Sequence, residues 1–373
     1  MAAATILDVA RRAKVSTGTV SRVLRRHPSV SSENLDRVLK AVESLNYAYE
    51  PRKRRDTSTE GNPLEGRNIL MLLLGGERSI ATLPVMASTI QGVQRAADAV
   101  QADLTVADVP SADHVPNVMQ RKSFAGVILK GAFGDLANAT HPDLLARLRS
   151  MPAVWVLGRA GEWGDVVQTN DMLVGAMAAD YLIARGHRRL AFVDPRPVHA
   201  IPGHPKVGES HAELSVRYSS SRRRQSSFGY FAQQAGADVK SYLGEPGTWP
   251  FPSPVVDRIE MVKGVVDKLL SERTPPTAIF TAIDSIGATV ARALAARGLQ
   301  AGRDISLMSC NNEQPLLMGI HPSLTTIDIH AEEIGRRAID QLAWRLTHDR
   351  DPVCEISIEP HLVEGESVIS LPE

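Results

Sequence analysis

The sequence predicts a chain in two parts: an N-terminal all-α helix-turn-helix headpiece, and behind it a much larger α/β body of parallel sheets flanked by helices. Three observations predict this. Apolar residues in the first fifty positions recur at helical spacing around one tight turn. From Asn68 onward, short apolar runs alternate with amphipathic helical stretches, which is the signature of parallel sheets covered by helices. The charge is divided as well: residues 1–55 hold twelve basic and five acidic residues, a net +7, and the rest of a neutral chain carries −7. A basic head on an acidic body is the asymmetry of a nucleic-acid reader attached to something else.

Taken in order, the first helix has Thr5 as cap, Asp8 completing a capping box, and Ile6, Val9, Ala10 and Ala13 as its inward stripe. Lys14-Val15-Ser16 is too short for anything but a tight turn, and Ser16 sits where an N-cap belongs. Val20, Val23 and Leu24 form the inward face of the second helix, with Thr17, Gly18, Ser21 and Arg22 on the other side. In the third, Ser31 caps, Val30 and Leu35 form a hydrophobic staple, and Val38, Leu39, Val42 and Leu45 point inward. In such a unit the second helix carries base-reading residues near its N-terminus.

At 373 residues the chain is too long for one small core. Its 43% hydrophobic and 23% charged residues are ordinary for a soluble globular protein. No apolar run approaches the roughly 20 residues that span a bilayer, and the N-terminus has no secretory signal pattern, so a cytoplasmic protein without a membrane partner is expected. Cys310 and Cys354 form neither a metal spacing nor a disulfide framework.

Pro51, Gly61, Pro63 and Gly66 punctuate a linker opened by Arg52-Lys53-Arg54-Arg55, a run suited to phosphate contact next to a DNA-reading unit. The body then reads as a strand at 69–74, a helix at 85–100 (Ile90, Val93, Ala97 and Val100 inward), strands at 104–109 and 127–129, a helix at 144–149 and a strand at 154–157. A helix at 174–185, ended by Gly186, and a strand at 190–193 follow. About 300 residues hold too many strands for one sheet, so two lobes are expected, with ligands at the carboxyl ends of the strands. Residues 195–223 are rich in Pro, Gly, His and Ser and read as a surface insertion. Its His199, His204 and His211 have spacings that match no known ligand pattern, so no metal is expected, and no cofactor either. Hydrolase elbows, phosphate loops, dinucleotide fingerprints and zinc-protease motifs are all absent, which argues against an enzyme.

The head closely resembles that of the lactose-repressor family of bacterial transcription regulators: Ile6-Leu7-Asp8-Val9-Ala10, then Val15-Ser16 and Thr19-Val20-Ser21-Arg22-Val23-Leu24, then Val30-Ser31 and Leu45-Asn46-Tyr47, in order and at matching spacing. The resemblance continues through Tyr181-Leu182-Ile183 with Gly186-His187-Arg188-Arg189-Leu190-Ala191-Phe192, Arg224 with Phe228, Pro276-Thr277-Ala278-Ile279-Phe280 with Asp284, and His321-Pro322-Ser323-Leu324-Thr325-Thr326-Ile327 with Gly335 and Ala338. It implies a two-lobed periplasmic-binding-protein-like core that dimerises. The expected division is a headpiece over 1–50, a hinge over 51–66, and a core over 67–373. Within the core, lobe 1 takes about 67–167 plus 328–349, and lobe 2 about 168–327 plus 350–373.

The resemblance implies base reading by Thr17 and Gly18, and often by Arg22. Thr17 can bond a base edge or touch a thymine methyl, and Gly18 allows close approach. Arg22 can fork onto guanine or meet a phosphate, and both readings stay open. Ser16 and Ser21 suit phosphates, with Thr5, Thr19 and Arg52 to Arg55 completing the DNA-facing set. For the effector, Arg224 matches an arginine that holds polar ligand atoms, and Asp284 follows a strand where it can accept from hydroxyls. Asn170-Asp171 stand where the family shows the reverse order, and Asn311 where aspartate is common. Trp249 can stack on an apolar ring face or serve as an ordinary surface or core residue. Gly365 replaces a frequent arginine. Family members also place a short helix after the headpiece whose leucine wedges into the minor groove. Residues 51–60 contain no leucine, so no wedge is expected from them.

The expected function is thus sequence-specific transcriptional regulation, acting as a repressor. The partners are a pseudo-palindromic double-stranded DNA operator, a sugar or related metabolite as effector, and a second copy of the chain, with a tetramer left open. The rivals are a sugar-binding protein without DNA function and an enzyme with a fused DNA-binding head.

Overall fold

The computed structural model describes residues 6–16, 19–20, 23, 32–45, 61–74, 80–109, 114–131, 141–159, 163–196, 219–244 and 255–372. The chain divides into two compact units, with the boundary between Gly61 and Asn62.

In the first unit, helices α1 (Ile6–Ala13) and α2 (Ser32–Ser44) enclose a small core of Val9, Ala10, Ala13, Val20, Val23, Val38 and Ala41, with Val15, Val42 and Leu45 against it. The turn after α1 is made by Lys14 at a positive φ of 54° and by the Val15 amide, which donates back to Ala10 at 3.0 Å. Arg37 of α2 donates to the Ala13 carbonyl at 2.7 Å and to Lys14 at 3.1 Å, placing a cation on the otherwise unsatisfied C-terminus of α1. Leu39 departs from the sequence reading: it is 48% exposed. The inward stripe of α2 runs through Val38, Ala41, Val42 and Leu45, and Leu39 is one residue, about 100°, off that line.

The described residues of the second unit form two six-stranded sheets. The first has the order β11-β5-β4-β3-β1-β2, all parallel, built from β1 (Asn68–Leu74), β2 (Asp103–Val109), β3 (Gly126–Gly131), β4 (Ala153–Val156), β5 (Asp165–Thr169) and β11 (Glu355–Ile358). The second has the order β12-β10-β9-β8-β6-β7, from β6 (Arg189–Asp194), β7 (Asp238–Leu243), β8 (Ala278–Thr281), β9 (Ser306–Asn311), β10 (Thr325–Asp328) and β12 (His361–Val363). Only β12 is antiparallel. Six of the seven residues of β1 are fully buried, because helices cover both faces of a parallel sheet.

Among the described residues the chain passes between the sheets three times: from β5 into α6 (Asp171–Ile183), from β10 into α11 (Ala331–Thr347), and from β11 to β12. The third passage corrects the expected lobe limits. Residues 355–358 pair with Val166 to Thr169 and belong to the first lobe, whereas the sequence reading puts the whole segment 350–373 in the second. Local alternation identifies a strand, but not the sheet it joins. The buried Asp165–Arg345 pair fixes this return, with Arg345 Nε and Nη2 on the carboxylate at 2.8 and 2.6 Å and Gln341 adding a bond at 2.7 Å. Arg345 also donates to the carbonyls of His348, Asp351 and Pro352.

Close helix contacts position the rest. In the first lobe, α3 (Pro84–Ala99) crosses α11 where Gly92 and Gly335 meet. A Cβ on either would come within about 2 Å of a backbone oxygen of the other helix. In the second, Gly175 of α6 lies against α7 (Ser220–Gln234). The second-lobe core centres on Phe192, Phe228 and Phe280, whose ring centroids are 5.2 to 6.2 Å apart. Such pairs add about 0.5–1.5 kcal/mol each beyond burial. Gly365 now has a physical account: a Cβ there would sit 2.5 Å from the Ser323 oxygen and 2.6 Å from the Leu324 carbonyl carbon, so an arginine does not fit this path. Leu64, a linker residue in the sequence reading, is fully buried in the first-lobe core.

Candidate functional site

The polar residues of the second unit converge on the carboxyl ends of the parallel strands, where open α/β sheets bind ligands. After β5, the Asn170 side chain accepts from the Leu173 amide at 3.0 Å and caps α6. That leaves Asp171 as the first helical residue, where the helix N-terminus favours a negative charge. Asp171 is buried and accepts from Arg224 Nε at 2.8 Å and Arg223 Nη2 at 2.7 Å.

Both arginines lie on α7, capped by Ser219. Arg224 is only 3% exposed. Its Nη1 donates to the Ala282 carbonyl after β8 at 2.7 Å and to Asn311 Oδ1 at the end of β9 at 3.0 Å. Among the described residues no partner meets its Nη2. The asparagine at 311 has a physical reason: its amide accepts from Arg224 while its Nδ2 donates to Glu313 Oε2 at 3.2 Å. An aspartate there would face the Glu313 carboxylate instead. Asn311 also has φ 110°, a conformation asparagine tolerates better than most residues.

The structure thus brings Arg224, Asp171 and Asn311 together, while Asn170 serves as a helix cap. Asp284 is placed differently from a residue reaching for ligand hydroxyls. It is fully buried, and its oxygens accept from Thr326 Oγ1 at 2.8 Å, the Glu313 amide at 2.7 Å and the Ser309 hydroxyl. Burial pushes its carboxyl up to about 6, against the hydrogen bonds from Ser309, Glu313 and Thr326. It holds the loop that carries Asn311 and Glu313.

Several groups carried no sequence signal. Lys130, at the end of β3, donates to the Leu157 carbonyl at 2.8 Å. Desolvation pushes its ammonium down to about 8, with Asp171 opposing and Arg223 assisting. Arg223 also reaches Gln168 Oε1 of the first lobe at 3.0 Å. Glu313, raised by burial, accepts from the Val85 amide of α3 at 3.1 Å, a second link between lobes. At the end of β6, Asp194 holds Arg196 through two bonds of 2.7 and 2.9 Å and accepts from Ser221. Burial alone would raise Asp194, but the Arg196 charge and hydrogen bonds hold it below the usual carboxylate range. Apart from Arg223, on α7, the charged groups among these stand singly at or just beyond strand ends, where no local spacing marks them.

In the head, Ser16 is exposed and its Oγ accepts from the Thr19 amide at 3.1 Å, with the two hydroxyls 2.9 Å apart. The start of the second helix is therefore capped as expected. Thr5, Thr17, Gly18, Ser21, Arg22, Arg52, Lys53, Arg54, Arg55 and Trp249, together with His199, His204 and His211, lie outside the described residues. Among the described residues, no helix is long and apolar enough to cross a membrane.

Taken together, the fold is a small helical head followed by a two-lobed α/β body. Comparison with known proteins agrees. Residues 5–49 match the bacterial regulatory proteins of the lacI family, and residues 179–368 match the periplasmic binding protein-like domain. The chain is 26% identical to the ribose operon repressor of Escherichia coli K12, over 98% of this chain and 99% of that protein. It is 28% identical to the transcriptional repressor PurR of Pectobacterium carotovorum, over 99% and 98% of the two chains. Among solved structures, the regulator CelR with cellobiose superposes with a TM-score of 0.62 at 20% identity, covering 98% of this chain and all of that one. The lac repressor dimer bound to operator gives 0.58 at 20% identity, covering 99% and 100%.

The chain belongs to the lacI family of bacterial regulatory proteins, with a periplasmic binding protein-like body. It is a DNA-binding transcriptional regulator whose action a small-molecule effector controls.

Proposed function

We propose that this regulator is a repressor whose effector is a small hydroxylated molecule of the sugar class, bound between the lobes by Arg224 and the groups around it. The observation that carries the reading is the Arg224 guanidinium. It is buried, fixed by Asp171, Ala282 and Asn311, and has one nitrogen without a partner among the described residues. A rigid fork so held can donate to a ligand oxygen without first losing rotamer freedom. Asp194, Arg196, Gln168, Arg223 and Lys130 supply the mixed donors and acceptors that hydroxyl groups use. The relatives support the class: one is a ribose operon repressor, and one similar solved regulator holds ribose. Asp284 acts as a positioning residue.

In the head, Thr17 reads a base edge with Gly18 allowing close approach, Arg22 meets a base edge or a phosphate, and Thr5, Ser16, Thr19, Ser21 and Arg52 to Arg55 suit the backbone. Two heads of a homodimer would read a pseudo-palindromic operator. The two lobes act as the two-state element: a ligand that binds one lobe arrangement better shifts the equilibrium between them, and with it operator affinity.

The test is calorimetry of the full-length protein against a panel of sugars and nucleosides, beside gel shifts on a selected operator. The variant is Arg224→Lys, which keeps the charge and removes the fork. A sugar that binds the wild type and alters the gel shift should bind the variant at least tenfold more weakly, with unchanged circular dichroism. Equal affinity in the variant would remove Arg224 from the site. Binding by a nucleobase and by no sugar would overturn the proposed class.

A further inference from the structure

Where the second passage between the lobes leaves β10, three side chains with metal-ligating atoms stand together: Asp328, His330 and His361. One ligand atom from each lies within 4.8 Å of the others. His330 Nε2 and His361 Nδ1 are 2.9 Å apart, and their rings overlap with centroids 4.6 Å apart. Asp328 is held from two sides. Its Oδ1 accepts from the His330 amide at 2.7 Å and its Oδ2 from Asn312 Nδ2 at 2.9 Å. Hydrogen bonds of this kind orient the carboxylates of metal sites. Asp328 and His361 are also direct neighbours in the β10–β12 pairing, so the backbone fixes their separation.

His330 is the second observation. It occupies the N-cap position of α11 at φ 56°, in the left-handed region, and its side chain makes no capping bond. An N-cap usually favours a short side chain that satisfies the exposed amides, and left-handed backbone costs a non-glycine residue free energy. Helix formation therefore does not explain a histidine here. Its ring is instead turned onto His361.

We propose that Asp328, His330 and His361 form a binding site for a divalent transition ion such as Zn²⁺, Ni²⁺ or Co²⁺. Two imidazoles and a carboxylate select these ions over Mg²⁺ and Ca²⁺, which take oxygen ligands. Tetrahedral ligands about 2.0–2.1 Å from zinc lie roughly 3.3 Å apart. The two ring nitrogens would thus separate by a few tenths of an ångström on binding. Asp328 and His330 border a cavity of about 670 Å³, which offers an entry path. Water would complete the shell at this partly open position. The ion would tie the end of β10 and the start of α11 to β12, joining two of the three passages between the lobes, and so act on their relative arrangement.

The test uses full-length protein freed of any affinity tag. Co²⁺ and Zn²⁺ are titrated by calorimetry, and Co²⁺ also by visible absorption. The variants are His361→Gln, His330→Asn (which keeps a residue tolerant of left-handed φ), and a triple change of His199, His204 and His211 to Gln. The expected result is one ion per chain and Co²⁺ d–d bands, with affinity falling roughly tenfold or more in each single variant, since loss of supporting groups alone costs that much. The triple variant should bind as the wild type does. Melting of the metal-free single variants at the wild-type temperature will show that the fold is intact. Absence of stoichiometric binding to the wild type would overturn the proposal. So would unchanged binding in His361→Gln, or loss of binding in the triple variant.

Discussion

Gly175→Ala tests how the backbone places Arg224, the arginine proposed to hold the effector. Gly175 lies on α6 where α7 crosses it. A Cβ there would be 2.3 Å from the Arg224 oxygen, 2.7 Å from the Phe228 nitrogen and 2.9 Å from the Ser227 Cβ. Ordinary contact begins at 3.4 Å, so α7 must retreat by roughly 1 Å at Arg224. The bonds that hold the guanidinium are 2.7 to 3.0 Å long. Stretched by that amount, they pass the range in which hydrogen bonds have strength. Overpacking costs about 1–3 kcal/mol, and alanine returns up to about 1 kcal/mol of helix propensity. The net loss of stability is therefore small, about 0–2 kcal/mol by the same figures, while the proposed effector site loses its anchor. Gly229→Ala on α7 is the control, because nothing lies within 4 Å of its Cβ, and it should gain about 0.5–1 kcal/mol. Urea unfolding and calorimetry with the effector found by the panel read both quantities. If Gly175→Ala binds effector as the control does, Arg224 does not depend on this contact and the reasoning fails.

Leu64→Ala should cost about 2–5 kcal/mol in urea unfolding, because the side chain is fully buried in the first-lobe core. The same variant should leave the operator bend angle, read by FRET, unchanged; a bend that vanished would restore Leu64 as a groove wedge. Neutralising Arg52 to Arg55 should make operator affinity less dependent on salt, the slope falling by about one for each phosphate that the run neutralises. An unchanged slope would remove the basic run from the interface. Asp284, raised to about 6 by burial, takes up its proton in the folded state before the unfolded state does. Its contribution to stability is therefore greatest below the unfolded value of about 3.9 and is lost as pH rises through 6. The stability difference between wild type and Asp284→Asn should shift toward the wild type as pH falls from 7 to 4, and a flat difference would refute this assignment.

Periodicity made much of the architecture legible. The stripes of Val9, Ala10 and Ala13 and of Val20 and Val23 form the core of the head, and the apolar run at 69–74 is a buried central strand. Of the residues expected to bind effector, Arg224, Asp171 and Asn311 do converge. What stayed hidden is non-local. Leu64 reads as linker because Gly61 and Pro63 flank it, and its burial depends on strands brought to it from elsewhere. β11 returns to the first sheet through a buried carboxylate, Asp165, that lies about 180 residues before its arginine. Glu313 and Lys130 acquire meaning only when strand ends from different parts of the chain meet. Asp328, His330 and His361 have no ligand spacing in sequence because the third ligand arrives by way of α11 and β11.

The geometry also suggests how an effector can move the lobes with little energy. Two of the site's own groups already bridge them: Arg223 to Gln168 at 3.0 Å, and Glu313 to the Val85 amide at 3.1 Å. Both are charge-assisted, a type that contributes about 1.5–3 kcal/mol. Allosteric coupling between two sites amounts to about 1–3 kcal/mol. A ligand that takes over one bridge, or completes it, therefore changes the balance between lobe arrangements by the amount regulation requires. Arg223 and Arg224 are adjacent on α7 and share Asp171, so occupation of Arg224 alters the field at Arg223, which bonds both Asp171 and Gln168. Glu313 is joined to Arg224 through Asn311 in the same way. The proposed effector arginine is thus one intervening residue from each bridge. A ligand that binds both arrangements equally would shift nothing, however tightly it bound. At the proposed site, a ligand that reaches Gln168 or Lys130 of the first lobe as well as Arg224 of the second would discriminate between the two arrangements.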